Sequence, residues 1–353
     1  MTNVLVTGAT GFIGQWLCAE LTAKGHEVHA LIRRPEQLEP LRQECERRGG
    51  DGSLIYAVHG DLDAPGLGLE ADPQVDIIFH LGARFAWNLS VAEARSTNVQ
   101  GGNAVADLAS RVGARLVIVG GFMAQNAEYL KELGVDPRDP LRANWKRVYA
   151  KSGAYEASKL ESFFTMSRHA ESLGVPWIGV HPAGLCGHSK TGEISAGQPF
   201  AELIDGVRSG RMAAIPGGRE HWLPLVTVDH LAGILAALAD HPWPPIDALI
   251  ALDPDTPDLA STVSLIAETL GVPAPHRRIP LGFLRAMLRV PGAERFAKTS
   301  RESLAFLRTE RLDVSATRAF AVSAGVSMPS IRAAIERTAD PLTGIRETYR
   351  TIL

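Results

Sequence analysis

The sequence predicts an α/β chain, a doubly wound parallel sheet followed by a smaller, mainly helical C-terminal lobe. Three observations predict it. Through the first half, short apolar β-branched runs alternate with helical patterns, as strands buried on both faces of a parallel sheet do. A glycine-rich turn joins the first run to the first helical pattern. After about residue 185 the texture changes: Gly and Pro cluster at 187–224, and residues 259–353 read as largely helical and amphipathic. The expected division is a first domain over residues 1–184, with contributions from about 226–252, and a second lobe over 185–353.

Taken in order, Val4, Leu5 and Val6 read as a buried strand. Residues 13–23 follow as a helix, with Ile13, Trp16, Leu17 and Leu21 near helical spacing and Gly25 closing it in the left-handed conformation. Residues 28–32 are the second strand. Runs 54–58, 77–79 and 116–119 give strands three to five, with helical patterns between them. Residues 177–181 form a sixth strand, and 248–252 a later one. Residues 228–240 read as a helix. Right-handed crossovers between such strands produce the Rossmann-type topology.

Composition excludes several classes. A chain of 353 residues favours two lobes over one small core. With 45% apolar and 21% charged residues, wholesale disorder is excluded. A net charge of −3 offers no field for nucleic acid or an anionic membrane, so neither is expected as a partner. Cys18, Cys45 and Cys186 are odd in number and lack C-x-x-C spacing, which gives neither a disulfide framework nor a zinc site. Cys18 falls in a helical apolar pattern and reads as core. No signal-like segment precedes the strand at Asn3, and the apolar run 231–239 is far shorter than the roughly 20 residues that span a bilayer. A cytoplasmic, reducing setting is the expectation. His181 and His188 have no third ligand at suitable spacing, so no metal is expected. No G-x-S-x-G nucleophile elbow occurs. Nine Lys or Arg residues lie between 277 and 311 and read either as a solvated helical face or as an anionic-ligand patch.

The glycine turn reads Thr7-Gly8-Ala9-Thr10-Gly11-Phe12-Ile13-Gly14. Gly8 permits the sharp turn, Gly11 lets a pyrophosphate approach the backbone, and Gly14 lets helix and strand pack closely. The helix N-terminus offers N–H groups and a favourable dipole to phosphate. Its strand–turn–helix context makes this a dinucleotide site, with Gly8, Thr10, Gly11, Phe12, Ile13 and Gly14 as expected contacts.

Gly153-Ala154-Tyr155-Glu156-Ala157-Ser158-Lys159 begins a helix that runs on through Leu160, Phe163 and Phe164. Tyr155 and Lys159, four apart, share one face. The pair suits a proton relay to a carbonyl: the phenol gives its proton to the oxygen as hydride reaches the carbon. A nearby ammonium is expected to lower the phenol pKa from about 10 towards working pH. Alone the spacing is common on amphipathic helices; its place between the fifth and sixth strands gives it weight.

Together these motifs resemble the extended short-chain dehydrogenase/reductase superfamily, in its epimerase/dehydratase-like form, over roughly residues 3–235. Gly60-Asp61-Leu62 resembles the segment whose Asp holds the adenine amino group. His80-Leu81-Gly82-Ala83 resembles the H-x-A-A segment under the cofactor. Asn98-Val99-Gln100-Gly101 resembles the N-V-x-G helix, and Val226-Thr227-Val228-Asp229-His230 the late V-x-V-D-D segment. The resemblance implies cofactor contacts from Asp61, Leu62, Leu81, Gly82 and Ala83. It also implies contacts from Lys159, which binds the nicotinamide ribose, and from His181, Pro182 and Ala183 at the end of the sixth strand. Asn98 would support a bound water or the helix bend, beside Tyr155 and Lys159.

Aligned on the family, Ile32 takes the position of the acidic residue that holds the ribose hydroxyls of NAD, and Arg33 and Arg34 follow. A guanidinium grips phosphate with two parallel hydrogen bonds, so NADP(H) is the expected cofactor. The alternative is that both arginines are ordinary solvated loop charges.

One position departs from the family. A Ser or Thr normally follows the fifth strand and hydrogen-bonds the substrate oxygen; here Gly120, Gly121 and Phe122 stand at the expected positions. Gln125, Asn126 or Ser152 replaces it, or a backbone N–H does, or the chain binds cofactor and catalyses slowly or differently.

Leu185-Cys186-Gly187-His188-Ser189-Lys190-Thr191-Gly192-Glu193 resembles the G-x-S-x-T-G segment of the thioester reductase and fatty acyl reductase branch. The stretch from His80 to Gly101, with Ala83, Trp87 and Asn98, resembles the same branch. The substrate pocket is expected at the C-terminal ends of the strands, roofed by residues 185–225 and the C-terminal helices, a substrate-binding lobe. In the insert 122–154, Phe122, Met123, Tyr129, Leu130, Leu133, Trp145 and Tyr149 form either an apolar lid or ordinary packing. The expected function is NADPH-dependent reduction of a ketone, aldehyde or acyl-thioester-derived carbonyl in a small or medium organic substrate, by a monomer or homodimer. Two alternatives stand: an epimerase or dehydratase that keeps NAD bound, and a non-catalytic NADP(H)-binding sensor or scaffold.

Overall fold

The computed structural model describes residues 1–84, 90–288 and 303–340. Trp87 lies outside these residues, as do Arg289, Arg295, Lys298 and Arg301 of the basic run. The chain forms two compact units. Of the described residues, the first comprises those within Met1–Pro182, Ala232–Ile250 and Ser315–Val326, and the second those within Ala183–Leu231, Ala251–Val314 and 327–340.

In the first unit the elements follow the alternation of the sequence. They are β1 (Asn3–Thr7), α1 (Phe12–Ala23), β2 (Glu27–Ile32), α2 (Leu38–Arg47), β3 (Ile55–His59), β4 (Ile77–His80), α3 (Val91–Ala94), α4 (Gly101–Val112) and β5 (Arg115–Val119). After these come α5 (Ala127–Leu133), α6 (Trp145–Ser152), α7 (Ala154–Ser172), β6 (Trp177–Pro182) and β7 (Ala248–Ala251). The seven strands lie in the order β7-β6-β5-β4-β1-β2-β3. β1 pairs in parallel with both β2 and β4, β2 with β3, β4 with β5, and β5 with β6. The order reverses between β1 and β4, which makes the C-terminal ends of those strands the place where an open α/β sheet binds ligands.

The strands form because their residues are apolar on both faces. Val4, Leu5, Val6, Ile77, Ile78, Phe79, Leu116, Val117, Ile178 and Val180 are all fully buried. Each such side chain contributes about 1.5–3 kcal/mol by leaving water. Cys18, Cys45 and Cys186 are buried free thiols. The insert after β5 folds into α5 and α6 rather than a loose loop. Six of its seven singled-out residues (Phe122, Met123, Tyr129, Leu130, Leu133 and Tyr149) are core, which favours ordinary packing.

The turn between β1 and α1 depends on two close approaches. Gly8 has φ +72°, and a Cβ there would lie 2.8 Å from Gly82 N. A Cβ on Gly14 would lie 2.2 Å from Gly8 O and 2.8 Å from Ala9 Cα. All are backbone atoms that cannot swing aside.

The second unit has its own core of Phe200, Ile204, Val263, Ile266, Ala334 and Ile335. Its helices are Pro199–Arg208, Leu259–Leu270, Leu281–Met287 and Ile331–Ala339. Two short parallel strand pairs complete it, Gly184–Leu185 with Leu225–Val226 and Ile215–Pro216 with Arg278–Ile279. Among the described residues no helix is long and apolar enough to cross a membrane.

Gly14→Ala is expected to cost about 1–3 kcal/mol, because the added methyl overpacks fixed backbone. A thermal melt checks this, and an unchanged Tm would show that the turn has slack the structure denies it.

Candidate active site

The segments singled out in the sequence converge at the C-terminal edge of the sheet in the first unit. Gly82, after β4, packs on Gly8 and on the Thr7 hydroxyl; a Cβ at Gly82 would lie 2.8 Å from Leu62 Cδ1 and 3.0 Å from Thr7 Oγ1. Gly101 rests on Leu62 in the same way, with 2.6 Å between a Cβ and Leu62 O. The loops after β1, β3 and β4 therefore touch. Gly60 N–H donates to Ile32 O at 3.1 Å, which brings the end of β2 beside the Asp61 loop. Arg33 and Arg34 stand exposed there, with Arg34 Nε 3.7 Å from Glu36 and Arg33 without a hydrogen bond or ion pair among the described residues. Asp61 accepts the Asp63 N–H at 3.0 Å. Leu81 is half-buried and Ala83 exposed.

These residues fit a dinucleotide. α1 starts at Phe12 with Gly11 as N-cap, no side-chain cap and no acidic residue in its first turn. Thr10 and Ile13 are half-buried beside it. Gly11, at the start of the helix, is exposed.

Two residues missed by the sequence reading hold this edge together. Thr7 Oγ1 accepts the Gly82 N–H at 3.0 Å and lies 2.8 Å from His80 Nδ1. Asp63 accepts the Thr97 hydroxyl at 2.5 Å and pairs with Arg84 at 2.9 Å. Neither pairing has a local sequence signal.

Tyr155 and Lys159 lie in the first turns of α7, half-buried, with the ammonium 6.0 Å from the centre of the phenol ring. Lys159 Nζ donates to Gly120 O at 2.8 Å, which ties α7 to the end of β5. Asn98 fixes the other side. It sits in a π-helical stretch, Arg95–Gln100, and its Nδ2 donates to Ser158 Oγ at 2.9 Å. Its Oδ1 accepts the Arg84 N–H at 2.7 Å, and its carbonyl accepts the Ser162 hydroxyl at 2.5 Å. Asn98 thus supports a helix irregularity. Ser158 and Ser162, on the helix face of Tyr155 and Lys159, complete the joint; their spacing was the available signal. A cavity of about 20 Å³ between Lys159, Asn98, His80 and Gly120 has room for one water. A larger concavity, about 400 Å³ within the second unit, is lined mainly by charged side chains such as Arg219, Asp258, Glu268, Arg278 and Arg332 and holds none of the site residues.

The expected lowering of the Tyr155 pKa needs correction. Burial, and then the Glu156 carboxylate, push the phenol up. Burial pushes the Lys159 ammonium down, with Glu156 opposing. The Lys159 charge is spent on Gly120 O rather than on the phenol oxygen, so desolvation dominates.

The glycines after β5 have different surroundings. A Cβ at Gly120 would lie 2.8 Å from His181 Nδ1, whereas one at Gly121 would meet nothing within 4 Å. Phe122 is core. His181 has no exposed surface; its Nδ1 lies 3.2 Å from Gly121 O and its Nε2 3.1 Å from Gln125 Nε2. Both ring nitrogens therefore have partners within the protein. Pro182 and Ala183, half-buried and buried, follow it. Of the proposed replacements for the family hydroxyl, Ser152 donates to Val148 O at 3.0 Å and Asn126 caps α5 through the Tyr129 N–H at 2.9 Å.

The chain's family and its named relatives support an oxidoreductase of the extended short-chain dehydrogenase/reductase superfamily. A family model described as male sterility protein, an NAD-binding family, matches residues 6–235, and the chain belongs to that family. It is 26% identical over 286 residues to a 4-hydroxy-2-methyl-3-oxo-4-farnesyl-3,4-dihydroquinoline-1-oxide ketoreductase of Stigmatella aurantiaca, covering 80% of this chain and 78% of that one. It is 25% identical over 254 residues to a dihydroflavonol 4-reductase of Hordeum vulgare, covering 68% and 67%. Against the nonribosomal peptide synthetase FrzA of Cladobotryum sp it is 26% identical over 315 residues, covering 79% of this chain but 30% of the synthetase. Among solved structures, the terminal R domain of the myxalamid PKS-NRPS pathway aligns with TM-score 0.72 at 22% identity, covering 96% of this chain and 89% of that one. A UDP-galactose 4-epimerase aligns at TM-score 0.61 and 18% identity, covering 96% and 98%. The NAD-binding family supports a nicotinamide cofactor.

Burial holds His80 near pKa 4 and His181 near pKa 3, against an ordinary 6.5, and lowers His29 as well. The unfolded chain therefore binds more protons than the folded one once pH falls below about 6.5, and stability drops from there towards pH 4. Tm measured across that window is expected to fall steadily. A flat Tm between pH 6.5 and 5 would contradict the buried neutral imidazoles.

Proposed function

We propose that the protein is an NADPH-dependent reductase of a carbonyl carbon in a small or medium organic substrate. The carrying observation is the tie between Lys159 and Gly120 O at 2.8 Å, which sets Tyr155 and Lys159 at the C-terminal edge where the Gly8, Asp61 and Gly82 loops meet. The relatives whose names state an activity, a ketoreductase and a dihydroflavonol 4-reductase, support reduction of a carbonyl. NADPH, when bound, supplies the hydride.

In this reading Gly8, Thr10, Gly11, Phe12, Ile13 and Gly14 hold the pyrophosphate through backbone N–H groups. Arg33 and Arg34 take the 2′-phosphate, and Asp61 and Leu62 face the adenine. Leu81, Gly82 and Ala83 line the groove beneath the nicotinamide, and the end of β6 closes it. The Tyr155 phenol protonates the carbonyl oxygen. Burial and Glu156 raise its pKa, which makes it a weaker acid than a free phenol, so transfer relies on the negative charge that hydride delivery puts on the oxygen. Lys159 supplies positive charge beside it and a donor to the ribose. Asn98 holds α7 in place through Ser158. The first unit is then the cofactor domain and the second the substrate-binding lobe. Ile32-Arg33-Arg34, with no acidic side chain, weighs against the NAD-retaining epimerase reading.

The test is consumption of NADPH with a panel of aldehydes, ketones and acyl-thioesters, followed at the nicotinamide absorbance band. Tyr155→Phe is expected to lose about 100-fold or more in kcat while retaining cofactor binding. Unchanged turnover in that variant rejects the mechanism. For the cofactor, Arg33→Ala is expected to raise the Kd for NADPH about 10-fold or more, the loss of charge-assisted hydrogen bonds, and to leave NADH nearly unaffected. Equal losses for both show that Arg33 does not meet the 2′-phosphate.

A further inference from the structure

We infer that Gln125 is the second hydrogen-bond donor to the reacting oxygen, standing where a Ser or Thr hydroxyl is missing, with His181 as the residue that positions it. This rests on the reductase reading above.

The argument begins with space. A side chain at position 120 is impossible while His181 lies behind it, 2.8 Å from where the Cβ would stand. The same ring also excludes a side chain at 179, where a Cβ would lie 2.7 Å from His181 Nε2. The imidazole is wedged between Gly120 and Gly179, edge-on to Phe163 at 4.4 Å between ring centres. With the ring locked there, no hydroxyl can come from position 120, and position 121 opens onto unfilled space.

The direction of the hydrogen bonds follows. His181 Nδ1 faces a carbonyl, Gly121 O at 3.2 Å, and a carbonyl only accepts, so Nδ1 carries the proton. Burial keeps the ring neutral. Nε2 is then an acceptor, and the Gln125 atom 3.1 Å from it must be the amide nitrogen and not the oxygen. An amide nitrogen has two N–H groups. One is used on His181. The other projects from a half-buried side chain that makes no other hydrogen bond among the described residues. The carbonyl of Gly121 thereby selects a tautomer of His181, and that tautomer leaves one Gln125 N–H unspent near the end of β5. Gly120, next in the chain, carries the carbonyl that holds the Lys159 ammonium at 2.8 Å. Donor and ammonium are fixed by adjacent residues.

The Ser152 hydroxyl is spent on its own helix. The Asn126 oxygen caps α5 and its Nδ2 has no partner among the described residues, but that side chain is buried, 2% exposed, whereas Gln125 is half-buried.

Two measurements test the proposal on the full chain. The first needs no substrate: nitrogen-15 NMR of the histidine side chains is expected to show His181 neutral and protonated at Nδ1, in wild type. A ring protonated at Nε2 would turn the Gln125 oxygen inward and overturn the proposal. The second uses the aldehyde, ketone or acyl-CoA thioester that wild type reduces fastest. Gln125→Ala is expected to lower kcat on the order of 100-fold, with KM and NADPH affinity little changed. Adding Gly121→Ser in that background, at a position with room for a side chain, is expected to restore at least 10-fold of the loss. Full kcat in Gln125→Ala alongside a dead Tyr155→Phe overturns the Gln125 assignment and leaves the reductase reading standing. Full turnover in Tyr155→Phe removes both.

Discussion

The bond from Lys159 Nζ to Gly120 O is the constraint on which the site depends. An ammonium inside protein is costly unless its protons are taken. Lys159 meets that cost with the carbonyl at the end of β5, and in doing so it sets how α7 lies on the sheet. Every other feature of the site is arranged around the result. Asn98 holds α7 from the opposite side through Ser158 and Ser162, and a π-helical stretch is what allows one residue to offer side chain and carbonyl to the same helix. Arg95 and Tyr149 converge on the buried Glu161 one turn further on, at 2.8 Å each, which extends the same clamp to α6.

Freeing the Gly120 carbonyl for the ammonium has a consequence on the other side of the strand. Gly120 follows β5 and Gly179 lies on the neighbouring β6, and the space their missing side chains leave is taken by the His181 imidazole. A hydroxyl-bearing residue at 120 and an imidazole at 181 are alternatives, since both need one volume. In the proposed reading the ring takes the space, and Gln125, which the ring holds, supplies the polar function.

Much of this was legible in the sequence. Runs such as Val4-Leu5-Val6 and Ile77-Ile78-Phe79 are apolar without alternation, and only a strand covered on both faces tolerates that. The Gly8–Gly14 turn and the Tyr155–Lys159 spacing depend on residues close in sequence, so they too could be read. What escaped depends on distant pairs. Thr7 and His80 are 73 residues apart, and Asn98 and Ser158 are 60 apart. The glycines at 120 and 179 look like ordinary loop and strand glycines until the ring between them is seen. The return of Ser315–Val326 to the first unit, where Thr317 Oγ1 accepts the Ile250 N–H at 2.8 Å, has no local signature at all.

The direction of the Tyr155 pKa escaped for a different reason. Spacing shows that a phenol and an ammonium share a helix face, but not how deeply they are buried or where the ammonium points. Burial penalises tyrosinate and ammonium alike, so it raises one pKa and lowers the other, and Glu156 pushes the phenol the same way. A carbonyl 2.8 Å from Nζ competes for the positive charge that a phenolate would use. In the proposed role this makes Tyr155 a weaker acid than a free phenol, so the driving force for transfer must come from the negative charge developing on the substrate oxygen. A second donor on that oxygen matters most in such a site. It stabilises the charge without a proton of its own to lose, and leaves the phenol as the group that completes the transfer.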